Sequence, residues 1–156
     1  VSLAPQNIET AVRRALADIL QATFPDTTVV RSLLSDPPEG QRLTVLPGQS
    51  PASAAAKFIG SVAGRVWRDE EFTVRVWVEV FDTDLDDVED RADALAWGVE
   101  EIPATNPDLD DMAGIISFGG TETRTATRTT QPAWQPQTGF FFQLIQIEFP
   151  VHARYD

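Results

Sequence analysis

The sequence predicts an α+β fold: a mainly antiparallel sheet of hairpins packed with two amphipathic helices. Three observations point there. Two segments carry apolar residues at spacings of three and four, the period of one helix face. Two others alternate apolar and polar residues, the period of a strand with one buried face. Turn signals separate neighbouring strand-like stretches, so those strands join as hairpins.

Residues 7–24 read as the first helix. Ile8, Val12, Leu16, Ile19 and Ala22 share one face, Asn7 or Ser2 is placed to cap it, and Pro25 ends it. A strand is expected over 27–34, rich in β-branched residues at its start. Asp36, Pro37, Pro38 and Gly40 mark a turn over 35–41, and 43–46 is a short strand. Residues 47–56 are a small-residue loop containing Pro51.

The period of two is clearest in 72–81, where Phe72, Val74, Val76, Val78 and Val80 alternate with Thr73, Arg75, Trp77, Glu79 and Phe81. A partner strand over 58–68 and a charged turn over 68–71 complete the expected hairpin. Pairing Arg68 with Glu71 sets Ile59, Ser61, Ala63 and Trp67 opposite Val80, Val78, Val76 and Phe72. It also brings Trp77 beside Val62; a slip of one residue would reverse both faces.

Leu85, Val88, Ala92, Leu95, Val99 and Ile102 form a second helical stripe over 84–101. Thr83 or Asp84 is the expected cap, the first turn is acidic, and Pro103 and Pro107 stop the helix. A strand start over 114–118 breaks at Gly119-Gly120. Alternating threonines over 121–129 describe an exposed or interface strand, and 131–139 a Pro-rich loop carrying Trp134. The last strand, 140–151, turns Ile145, Ile147, Phe149 and Val151 inward. The expected organisation is one domain over 1–156 with a long loop at 35–56.

Composition excludes several kinds of chemistry. The 24 acidic and 12 basic residues leave a net charge of −12, which opposes binding to nucleic acid by phosphate neutralisation. With no cysteine there is no disulfide, thiolate nucleophile or zinc–sulfur site. The one histidine, His152, has no evident serine partner. No nucleophile elbow, Walker A loop or dinucleotide fingerprint occurs, so neither an enzyme nor a cofactor is expected. No apolar run approaches the roughly 18 residues of a membrane span, so no membrane partner is expected.

The charge is clustered, with 16 acids and 2 bases in 69–111. Asp82, Asp84 and Asp86 have the spacing of a calcium loop, but Asp87 stands where that loop needs glycine. An acidic helix start accounts for the same residues. Asp69, Glu70 and Glu71 read as solubilising charge at a hairpin tip rather than as catalytic carboxylates. Asp86, Asp90 and Asp93 lie away from the apolar stripe, and Arg124 and Arg128 share one face of the Thr-rich strand. These two groups could meet between subunits, or remain a solvated helix and a cross-strand pair within one chain. Of the four tryptophans, Trp67 and Trp97 fit packing, while Trp134 has the context of a contact residue. Pro47, Gly48 and Pro51 sit in a long Pro-rich loop of the kind that meets partners.

The order of these elements resembles the tail terminator proteins of long-tailed bacteriophages, also called tail completion or minor tail protein U-like. The residues that carry the resemblance are "VWVEVF", the acid-rich helix after it, the Gly-bearing strand start, the tryptophan loop and the last strand "FFQLIQIEFPV". The resemblance covers 72–151 best, and the Pro-rich stretch over 35–56 departs from it. It implies a non-enzymatic virion protein, made in the host cytoplasm, that forms a hexameric ring at the head–tail junction. Its implied partners are the tail tube protein and a head completion or connector protein, with DNA passing through unbound. Another head–tail connector or tail tube subunit fits the same pattern, and a carbohydrate-binding module using Trp134 is the alternative of a different class.

Overall fold

The computed structural model describes residues 8–34, 36, 40–48, 56–62, 65–119 and 126–155, with backbone alone at 56–69 and 155. In chain order the elements are α1 (Ile8–Thr23), β1 (Thr28–Val30), β2 (Gly40–Pro47), β3 (Ala56–Val62) and β4 (Arg65–Asp82), then α2 (Leu85–Glu100) and a short α3 (Ile102–Thr105). Four strands follow: β5 (Ile115–Phe118), β6 (Thr127–Thr130), β7 (Trp134–Gln137) and β8 (Phe140–Tyr155). The fold is α+β, as the sequence predicts.

All eight strands belong to one sheet, whose main path runs β1-β2-β4-β8-β5; β3 also pairs with β4, and β6 and β7 with β8. Among the described residues only β1 and β2 pair in parallel. Strands β4 and β8 form the centre, with Val76 opposite Ile147 and Val78 opposite Ile145. On the other side of β4 those valines face Val45 and Leu43 of β2. These side chains are fully or almost fully buried, and the helices lie over them.

Each helix is held by its sequence. Helix α1 buries Ile8, Val12, Leu16, Ala17 and Leu20, a stripe turned slightly from the expected one, so Ala22 is exposed. Helix α2 buries Val88, Ala92, Leu95, Ala96 and Val99. Its cap is Asp84, whose carboxylate accepts from Asp87 N at 3.1 Å. At Gly98 of α2 a Cβ would stand 2.7 Å from the ring of Phe24, the residue after α1, so a larger side chain there would have to displace that ring.

Several expectations are corrected. Strand β3 ends at Val62, paired with Arg65 at the start of β4, so there is no turn at 68–71 and Asp69–Glu71 belong to a strand. Ser61 therefore faces Val66, Gly60 faces Trp67, and β2 takes the place expected for the hairpin partner of the valines. Trp77 lies between Thr44 and Gln146, not beside Val62. Glu70 is only 6% exposed, which a hairpin tip would not allow. The strand expected over 27–34 shrinks to Thr28–Val30, whereas β2 reaches from Gly40 to Pro47. The Pro-rich stretch 131–139 carries β7, an edge position where proline removes no needed ladder bond.

Leu109, Asp110 and Asp111 have φ of 54°, 61° and 61°, three consecutive left-handed residues. Each such residue costs an L-amino acid roughly 1–2 kcal/mol. Burial of Leu109, 2% exposed, and the Asp111 N to Asp108 Oδ1 hydrogen bond offset part of this. Asp110→Gly should raise stability by up to about 1 kcal/mol, because glycine tolerates φ > 0 but loses more entropy on folding. The check is a higher urea midpoint at unchanged slope.

Candidate interaction surfaces

Helices cover one face of the sheet. Strand alternation puts Thr73, Arg75, Trp77, Glu79 and Phe81 on the other. At its centre Arg42 donates from Nε and Nη2 to both carboxylate oxygens of Glu79, each at 2.9 Å. Thr44 Oγ1 donates to the same carboxylate at 2.8 Å, and both charged side chains are 7% exposed. The Glu79 hydrogen bonds raise the Arg42 pKa against the opposing effect of burial. Arg42 Nη1 also donates to Asp36 O at 3.0 Å, tying the segment after β1 to this face. Beside the pair, Trp77 Nε1 donates to Gln146 Oε1 at 2.9 Å. Arg75 lies over the Trp77 ring at 5.8 Å and donates to Pro47 O at 2.7 Å.

The same face ends in aromatic rings. Phe81 and Phe140 stack at 5.0 Å and 3°; Trp134 meets Phe142 at 4.6 Å and 42°. Trp134 is 41% exposed and Phe140 36%. Trp134, which the sequence predicts as a loop contact residue, stands instead on β7, opposite Phe142, with one side of its ring covered.

The acidic helix presents Asp86 and Asp90 to solvent. Its neighbours are individually engaged. Arg91 bonds Asp82 at 2.8 Å and Asp87 at 3.2 Å, and the Thr83 N–H, with Arg91 adding to it, holds the Asp82 carboxyl below its usual range. Among the described residues no three acidic or histidine side chains are grouped to hold a metal ion. Asp93 and Arg128 do come together, but within one chain: Arg128 pairs with Asp93 and, at 3.3 Å, with Glu100. Arg128 lies beside Ile147 on the helix side of β6, which aims it at α2. Arg124 and Pro51 lie outside the described residues. Pro47 ends β2, and Gly48 N donates to Thr73 O at 3.0 Å. A Cβ on Gly48 would stand 2.6 Å from that same oxygen, so this glycine has a packing reason of its own.

Trp97 was expected to pack. It is 64% exposed, on the helix side of the molecule, whereas Trp77 and Trp134 lie on the opposite face of the sheet. The period contained the signal. Two residues beyond Leu95 is a turn of roughly 200° on a helix, away from the buried stripe.

No family model and no curated protein sequence matches the chain. A chain of the solved virion of a native gene transfer agent (GTA) particle is similar at 14% identity, over 94% of this chain and 94% of that one, with a TM-score of 0.45.

Proposed function

We propose that this chain is a structural virion protein, a tail terminator whose copies close into a hexameric ring on the tail tube and offer the surface that joins the head. The observation that carries this reading is the aromatic end of the sheet face opposite the helices. The centre of that face is locked by the Arg42–Glu79 pair, and the aromatic end is left partly exposed. Partly exposed aromatic side chains on a rigid sheet are the composition of a contact surface. The order and patterning of the elements supply the comparison with tail terminators. The acidic segment gives such a ring a surface along which DNA passes without binding. No step of the role requires bond making.

The test is assembly. Purified protein should sediment as a hexamer, form rings in negative-stain images, and restore head joining to tails lacking their terminator. A chain that stays monomeric at every concentration would sink the reading. Glycan binding lost on Trp134→Ala would replace it with the carbohydrate-binding one.

A further inference from the structure

We propose that Trp97 of one subunit seats in the groove between α1 and β1 of a second copy of this chain. The inference rests on the ring reading above and names the surfaces that would meet. The first of them is Trp97 itself, an indole 64% exposed on a well-packed helix. Asp93, Trp97 and Glu100 follow one another at helical spacing, and Arg128 of β6 holds the outer two. Trp97 therefore lies on the β6 side of α2, with exposed Asp90 one further step along the same stripe and exposed Glu101 close by.

The groove lies at the far edge of the sheet. It has a volume of about 610 Å³, with Ala17, Asp18 and Gln21 of α1 on one wall and Val29, Val30 and Arg31 on the other. Leu33 and Leu34, just beyond, are 64% and 50% exposed and extend the apolar surface. Strand β1 is the last on its side of the sheet, so its outer backbone groups have no strand partner among the described residues. They offer carbonyl acceptors to an indole N–H, which needs a partner once buried.

Charge distinguishes the two surfaces. Asp90 and Glu101 are the exposed acids on the Trp97 side of α2, while Asp93 beside it is paired with Arg128. Arg31 lines the groove, and exposed Arg14 stands one helical turn before Asp18 on α1. Asp18 is the one acid on the groove wall. A protein of net charge −12 repels itself unless such basic groups are placed where acids arrive. The knob and the groove sit on opposite flanks of the sheet. Their contact is therefore head-to-tail rather than two-fold, the kind that closes rings.

Sedimentation velocity on the full chain tests this. Trp97→Ala should weaken self-association at least tenfold, with an unchanged far-UV circular dichroism spectrum. Arg31→Glu should weaken it too, and adding Asp90→Arg to that variant should restore part of the loss. If Trp97→Ala alters the spectrum, the Arg31 and Asp90 pair of variants decides. Wild-type association in Trp97→Ala, or in Arg31→Glu, would overturn this contact and leave the ring reading intact. A wild-type chain that never associates would overturn both.

Discussion

Arg42→Ala should destabilise the protein by about 3–5 kcal/mol, a large share of the roughly 5–15 kcal/mol that holds a domain folded. The guanidinium satisfies both oxygens of Glu79 at 2.9 Å, where neither side chain is more than 7% exposed. Truncation leaves a buried carboxylate with Thr44 as its one remaining side-chain donor among the described residues. It also releases the Asp36 carbonyl. The double change Arg42→Met with Glu79→Leu removes both charges and should lie close to wild type, because the desolvation penalty disappears along with the attraction. Urea unfolding of the three proteins separates the cases. A loss below about 1 kcal/mol in the single variant would mean that water reaches the pair.

Phe149→Ala is expected to cost about 3–5 kcal/mol, the usual range for emptying a packed phenylalanine site. Phe149 is fully buried, faces Val74 across the central strand pair and lies 5.1 Å from the Phe118 ring. Phe118 ends β5, the outermost strand on that side, so the cavity opens at the edge of the sheet. Amide exchange across Ile115–Phe118 should accelerate more than exchange in α1. Equal acceleration everywhere would show instead that β5 opens only when the whole sheet does.

The parts of the fold set by a regular period were legible in the sequence. Alternation over Phe72–Val80 and Ile145–Val151 located the two central strands and their buried sides. Spacing of three and four located both long helices, and Asp84 its cap. The misread hairpin shows what a period cannot resolve. Asp69, Glu70 and Glu71 look like a turn because acids favour solvent. Yet β4 continues through them, paired with β8 all along, so the ladder overrides that preference. Strand β7 was hidden by Pro136, a residue that discourages a strand except at an edge. The candidate surfaces were legible only as far as single elements go. That Arg128 would meet Asp93 and Glu100 depends on β6 lying against β8 beside α2, a tertiary placement with no local signature. The exposure of Trp97 was written in its helical phase, but a tryptophan's size argued for burial.

The central strand pair has a kinetic consequence. Arg68 pairs with Tyr155 and Asp82 with Phe141, contacts between residues about 60 to 90 positions apart in the chain. Closing loops of that length loses chain entropy before any of the burial is gained. The helices can flicker into shape early, yet the surface they rest on does not exist until β4 and β8 meet. Folding should therefore be slow for a chain of this size, on the millisecond-to-second scale of sheet proteins dominated by non-local contacts. Until that step the apolar strands stay open to their neighbours, so subunits crowded together before it risk pairing with the wrong copy.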